Sequence, residues 1–231
     1  MTGRMIGFES NGSPARGYLA TPEGGTGPGV VVLHEWWGLT EPIRRACDSL
    51  AAAGFVALAP DLYRGKTTDS VAEAEALGGA LDEKVEQWRG DVRGAVEYLR
   101  QHGARSANGD GRFALVGLSL GGGYALDMSV TMAEEIAAVV IFYTAWAGPE
   151  YRQARAAYLF HFAEHDPFES AEAVAELKQA LQDAGRQATF YTYPGTTHWF
   201  TDANIPDAYN AEATALAWER TIAFLNAELR Q

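Results

Sequence analysis

The sequence predicts an α/β fold: a mostly parallel sheet flanked by helices. Three observations carry this. Short continuous apolar runs recur along the chain, as strands covered on both faces require. Between them lie segments with apolar residues at helical spacing. Alternation of the two implies right-handed crossovers and parallel neighbours.

The elements come in this order. Met5 to Leu19 alternates less cleanly and ends in Gly17-Tyr18-Leu19, which suits a hairpin or an antiparallel edge. Thr21 to Gly29 is rich in Gly and Pro and reads as a surface turn. Val30 to Leu33 is the first buried strand. Thr40, before Glu41 and Pro42, is the expected N-cap of a helix. Ile43, Ala46, Cys47, Leu50 and Ala51 share its inner face, and Gly54 closes it. Phe55 to Ala59 is the second strand. Val85, Trp88, Val92, Ala95, Val96 and Leu99 mark a second helix. Phe113 to Val116, Ala138 to Phe142, Tyr158 to Phe162 and Thr189 to Tyr193 complete the strands. Ala171 to Ala184 is a helix closed by Gly185. Tyr209 to Leu229 is the last, with Ala213, Leu216, Ala217, Thr221 and Phe224 as its inner face.

Composition bounds the function. With 231 residues the chain can bury a sizeable core, and no composition break marks a second domain, so residues 1–231 are expected to form one domain. A single cysteine, Cys47, rules out an internal disulfide framework and a cysteine-based zinc cluster. Eighteen basic against thirty acidic residues give a net charge of −12, so neither nucleic acid nor an anionic membrane is an expected partner. No apolar run is long enough to span a bilayer, and the first twelve residues lack the apolar stretch of a signal peptide. These features read as a cytoplasmic protein, monomeric or weakly dimeric.

The most informative stretch is Phe113 to Gly123, which reads strand, then Gly117-Leu118-Ser119-Leu120-Gly121, then a Gly-rich helix start. A nucleophile on a sharp strand-to-helix turn needs backbone angles that neighbouring side chains would crowd. Gly117 and Gly121 relieve that crowding. The turn projects the Ser119 hydroxyl from a helix N-terminus, where partial positive charge favours a developing anion. The competing reading is a glycine-rich turn with an idle serine.

Serine needs a base. In the α/β-hydrolase order the acid and then the histidine come after the nucleophile. Of the histidines after Ser119, His161 lies inside the run Tyr158 to Phe162 and reads as a strand side chain. His198 comes after Tyr193-Pro194-Gly195-Thr196-Thr197, a strand end and a proline-glycine turn, where a base belongs in an open parallel sheet. Asp166, fixed by Pro167 after the preceding strand, is the expected acid, with Glu164 the alternative. The competing reading of Asp166 is a turn aspartate that accepts bonds from its own backbone. His165 adjoins Asp166 and is poorly placed to face it. In this fold the loop after the first buried strand and the residue after the nucleophile each give a backbone N–H to the oxyanion hole. Those donors are Trp36 and Leu120.

Taken together these residues resemble the dienelactone hydrolases, carboxymethylenebutenolidase-like α/β-hydrolases. The likeness spans nearly the whole chain. It rests on His34-Glu35-Trp36-Trp37-Gly38, Ala59-Pro60-Asp61-Leu62-Tyr63, the elbow, His165-Asp166-Pro167-Phe168, and Tyr193-Pro194-Gly195 with His198 and Phe200. The resemblance implies a seven- or eight-stranded sheet, a triad, and hydrolysis of a lactone or ester. The best-known members carry cysteine at the elbow; here Ser119 stands there. Glu35 matches a family glutamate that contacts the resting nucleophile. The family binds its substrate carboxylate through arginines, which this chain lacks between Thr67 and Lys84 and between Thr201 and Asn210. Arg64 and Lys84 are the possible replacements.

Glu35, Trp37, Trp199, Phe200 and Arg64 are therefore expected at the substrate pocket. Trp146 suits either a pocket wall or the core. Only Tyr143 to Ala157 separates two strands where lids usually enter, so no cap domain is expected. The function read from the sequence is a serine hydrolase of a small ester or lactone, with Ser119, Asp166 and His198 as triad. The alternative is a non-catalytic ligand-binding protein on the same fold. No metal or cofactor is expected, since no His-Glu pair stands at helical metal-ligand spacing.

Overall fold

Asn11 and Gly12 both adopt left-handed backbone (φ 48° and 74°), the geometry of a tight two-residue hairpin turn. They join β1 (Arg4–Ser10) to β2 (Ser13–Ala20), which pair antiparallel from Arg4↔Leu19 to Ser10↔Ser13. The expected edge hairpin is thus present, and its Asn-Gly dipeptide is a turn signal in its own right. The computed structural model describes residues 3–105 and 111–230, in two compact units, Met1–Phe113 and Ala114–Gln231.

In the first unit the strand order is β1-β2-β4-β3. Here β3 spans Gly29–Leu33 and β4 spans Val56–Pro60. They are parallel to one another, and β2 is antiparallel to β4. Every residue of β3 and β4 is buried, which explains their unbroken apolar runs. Helix α1 (Glu41–Ala52) makes the crossover and buries the five residues expected. Thr40 holds its N-cap position but makes no side-chain cap bond; Pro42 in the first turn sets the start instead. Gly54, at φ 91°, ends it. Helix α2 (Val71–Asp82) was not expected. It is alanine-rich with Gly78 and Gly79, and buries only Ala74, Gly78 and Leu81, so its sequence carries no clear apolar stripe. Helix α3 (Val85–Gln101) has the predicted face, except that Val85 is exposed.

In the second unit the order is β5-β6-β7-β8. These are β5 (Phe113–Leu118), β6 (Ile136–Phe142), β7 (Ala157–His165) and β8 (Ala188–Thr197). β6 and β7 are parallel, as are β7 and β8. Helix α4 (Leu120–Thr131) comes after β5, α5 (Ala171–Asp183) comes after β7, and α6 (Ala211–Leu229) closes the chain. The inner face of α6 is Ala213, Ala217, Thr221, Leu225 and Leu229. Leu216 is exposed and Phe224 only half-buried, so the expected face was rotated by part of a turn. Between β6 and β7 the chain makes only a loop with one short 3-10 turn, Tyr151–Gln153. Among the described residues no helix is long and apolar enough to cross a membrane.

One difference from expectation shapes the site. β8 does not stop at Tyr193. It continues through Pro194 and Gly195 to Thr197, with a register shift opposite Ala163 to His165. Gly195 sits at φ 68° and gives its N–H to the Glu164 carboxylate at 2.8 Å. A bulge of this kind bends a strand and re-aims the residues beyond it. The first residue beyond β8 is His198.

Candidate active site

Three strand ends of the second unit converge. Ser119 stands after β5, Asp166 after β7 and His198 after β8. The open carboxyl ends of parallel strands are where loops can gather side chains from distant sequence. Ser119 Oγ lies 2.8 Å from His198 Nε2. His198 Nδ1 lies 2.7 and 2.9 Å from the two Asp166 carboxylate oxygens. A carboxylate only accepts, so Nδ1 carries the proton and Nε2 is left to accept from the serine. The side chains of His198 and Asp166 are 3% and 4% exposed, so water competes little for this pair.

Each member is held by its own local chemistry. Ser119 has φ 49° and ψ −120°, a conformation that costs a non-glycine residue about 1–3 kcal/mol. Its surroundings fix it there. Its N–H donates to the Phe142 carbonyl at 3.0 Å, and its carbonyl accepts from Gly122 N–H at 2.7 Å and from the Thr144 hydroxyl at 2.6 Å. Gly117 is needed because a Cβ there would lie 2.5 Å from the Gly121 carbonyl oxygen. Asp166 serves both roles that the sequence left in competition. Its Oδ1 accepts from Phe168 N–H at 2.9 Å and Glu169 N–H at 3.2 Å, a turn that fixes the carboxylate facing His198.

Aromatic rings enclose the imidazole. Tyr143 (4.8 Å between centroids), Phe168 (4.8 Å) and Trp199 (4.7 Å, perpendicular) all contact it. Phe168 is nonetheless 50% exposed, so one ring of this wall faces solvent. Tyr143, at φ 42°, also bonds the Thr201 hydroxyl through its own at 2.7 Å.

Residues 15–229 match the model of the dienelactone hydrolase family. The chain belongs to that family. Similar proteins include Protein usf of Aquifex pyrophilus, 31% identical over 228 residues, covering 96% of this chain and 97% of that one. A carboxymethylenebutenolidase of a Pseudomonas species is 32% identical over 220 residues, covering 90% and 88%. Among solved structures, a dienelactone hydrolase-like promiscuous phosphotriesterase from metagenomic libraries superposes with a TM-score of 0.84 at 23% identity, covering 98% of each chain. This dienelactone hydrolase family member thus has the α/β-hydrolase fold, and it is a hydrolase of ester or lactone type.

The other residues singled out in this family member fall into place unevenly. His161 is fully buried within β7 between the Tyr193 and Thr221 hydroxyls (2.8 and 3.0 Å). Burial and nearby Arg220 pull its pKa down to about 3, so it stays neutral. His165 is exposed beside Glu164, whose carboxylate is occupied by the Gly195 N–H. Phe200 is a correction: at 0% exposure, packed on Tyr143 and Tyr193, it braces the histidine loop and does not line a pocket. Trp146 fits neither expected role cleanly, being 43% exposed on the loop after β6. In the first unit, Arg64 gives its guanidinium to buried Asp91 at 2.6 Å, which leaves it poorly suited to hold a substrate carboxylate. Glu35 and Trp37 are buried, and Trp36 is half-buried. The Glu35 carbonyl accepts from His34 Nδ1–H at 2.8 Å and Gly38 N–H at 3.1 Å. Burial lowers the His34 pKa, and its Nε2 accepts from Leu62 N–H. The planar Glu35–Trp36 peptide is therefore fixed, with the Trp36 N–H directed away from those donors.

Two residues were not expected. Thr144 and Glu169 flank the triad: Thr144 holds the Ser119 carbonyl, and Glu169 accepts the Ala145 N–H at 2.9 Å. Burial and the neighbouring Asp166 push the Glu169 carboxyl up to about 7. Thr144 lies just beyond the end of β6, much as the triad residues lie beyond the ends of their own strands, and a polar residue there was the available signal.

Proposed function

We propose that the protein hydrolyses a small, uncharged ester or lactone in the cytoplasm through an acyl-enzyme on Ser119. The supporting observation is the continuous chain from the Ser119 hydroxyl through both nitrogens of His198 to the Asp166 carboxylate. His198 Nε2 takes the serine proton as Oγ attacks the carbonyl carbon. Asp166 holds the resulting imidazolium. The Leu120 N–H stabilises the tetrahedral oxyanion. One such donor is typically worth about 3 kcal/mol of barrier. His198 then returns its proton to the leaving oxygen, which in a lactone stays tethered to the acyl group. Water gives a proton to His198 and attacks the acyl carbon; the proton passes to Ser119 Oγ as the acid departs. No metal or cofactor enters these steps.

The local charges favour an uncharged substrate. Against His198 the second unit places the buried Asp166 carboxylate. A substrate carboxylate would face like charge there, and Arg64 is already paired.

The test is Ser119→Ala assayed on p-nitrophenyl acetate, with a phosphonate probe on the wild type. Loss of turnover in the variant and covalent labelling of Ser119 are expected. Wild-type turnover in Ser119→Ala overturns the proposal. A screen of esters and lactones with and without a free carboxylate tests the substrate class; preference for carboxylate-bearing lactones overturns that part.

A further inference from the structure

The Ser119 carbonyl and the Leu120 N–H are the two ends of one planar peptide unit. In a trans peptide they point in opposite directions. Whatever holds that carbonyl therefore aims that N–H. Two donors hold it. Gly122 N–H, at 2.7 Å, belongs to the first turn of α4. The Thr144 hydroxyl, at 2.6 Å, comes from a different strand end, twenty-five residues along the chain. We infer that Thr144 is a positioning residue for oxyanion stabilisation: its hydroxyl pins the Ser119 carbonyl and so aims the Leu120 N–H at the reacting carbonyl oxygen. This rests on the acyl-transfer reading above.

Thr144 is well built for the task. It is buried, and it lies just beyond β6, whose last residue, Phe142, accepts the Ser119 N–H. Both its neighbours are tied. Tyr143 N–H donates to the His161 carbonyl at 2.8 Å, and Ala145 N–H donates to Glu169 at 2.9 Å. The hydroxyl reaches Ser119 only because residue 122 is glycine. A Cβ there would collide with the Thr144 side chain. So Gly122 serves twice, as donor and as space. One hydrogen bond from the helix leaves the peptide free to tilt about that contact. A second, from another element, removes the tilt. The strained φ of Ser119 makes the second anchor more valuable, because the turn would otherwise relax towards an ordinary conformation.

The experiment compares Thr144→Ser, Thr144→Val and Thr144→Ala in the full chain. Serine keeps the hydroxyl and loses a methyl; valine keeps the bulk and loses the hydroxyl. Losing an oxyanion donor outright lowers kcat by roughly 10²–10³-fold, and a mis-aimed donor should lose part of that. The expectation is a kcat fall of about 10–100-fold for valine and alanine, KM within about threefold, and near wild-type kcat for serine. A second readout is the preference for an ester over its thionoester. Sulfur accepts hydrogen bonds poorly, so this preference reports the oxyanion contact itself and should shrink in the valine and alanine variants only. A role confined to packing would leave the preference unchanged. Wild-type kcat and preference in Thr144→Val overturn the inference, as does a serine variant as impaired as alanine. If valine and alanine do not fold, Thr144→Cys, a weak donor of small size, is compared with serine; equal kcat and preference in those two overturn it. Ser119→Ala separates the failures. Full activity there sinks the acyl-transfer reading, whereas an inactive Ser119→Ala with a normal Thr144→Val sinks only this one.

Discussion

His198 and His161 are both buried in the second unit, and both nitrogens of each are hydrogen-bonded. They differ in everything that decides chemistry. His198 stands beyond a strand end, between a carboxylate and a serine hydroxyl. His161 stands inside a strand, between a tyrosine and a threonine hydroxyl, with Arg220 nearby. A carboxylate can hold an imidazolium; two hydroxyls and a guanidinium cannot. Burial alone thus makes a histidine inert. Burial beside an acid makes it a base with a fixed tautomer.

The comparison breaks most visibly at the carboxylate. In Asp166→Asn the Oδ1 position can still accept from Phe168 and Glu169 N–H, so the turn should survive. The side-chain NH2 then faces His198 Nδ1 and donates to it. Nδ1 must accept, the proton moves to Nε2, and Ser119 loses its base. A fall of about 10⁴-fold in kcat is expected, with a melting temperature close to wild type. Steady-state kinetics on p-nitrophenyl acetate decide it: a loss of less than tenfold would mean that Asp166 does not set the tautomer.

His161 should give the opposite profile. In His161→Phe the Thr221 hydroxyl loses its partner in the core, at a cost of about 1–3 kcal/mol in urea unfolding. For the folded protein, kcat should stay within about threefold of wild type. A large kinetic loss without destabilisation would show that the two histidines are less separate than their surroundings imply.

The same contrast was legible in the sequence, because position relative to a strand end needs only the apolar runs. Ser119, Asp166 and His198 each come a few residues after such a run, and His161 interrupts one. The hairpin, the parallel strands and the helices α1, α3, α5 and α6 were legible for the same reason. What was not legible depends on three dimensions. Helix α2 carries no stripe, since only three small or isolated residues of it are buried. The inner face of α6 was misplaced, because Leu216 and Phe224 are apolar yet lie off the buried line. Phe200 reads as a pocket residue by its proximity to His198, but its ring turns into the core. The continuation of β8 past Pro194 depends on the Glu164 carboxylate holding the Gly195 N–H, a contact between residues thirty-one apart. Thr144 offered only the weak signal of a polar residue beyond a strand end; the carbonyl it touches is seen only in three dimensions.

The smallest expected effect concerns a carboxyl that borders the active pair without joining it. Glu169 accepts the Ala145 N–H, and its own N–H donates to Asp166. Burial and the Asp166 charge raise its pKa from 4.5 to about 7. For an acid with a raised folded-state pKa, the unfolded chain releases the proton first. The associated stability is therefore full below about pH 4.5 and is lost as pH rises through about 7. Glu169→Gln keeps an acceptor for Ala145 and cannot ionise. Its thermal stability should fall less than that of wild type between pH 5 and pH 8, with the difference between the two changing mainly up to about pH 7 and levelling off above it. Thermal melts across that range check this. Parallel curves would mean that Glu169 is ionised throughout, and that the negative charge beside Asp166 is carried at no cost to the fold. In that case the acid side of the site would hold two charges where the comparison with His161 needs only one.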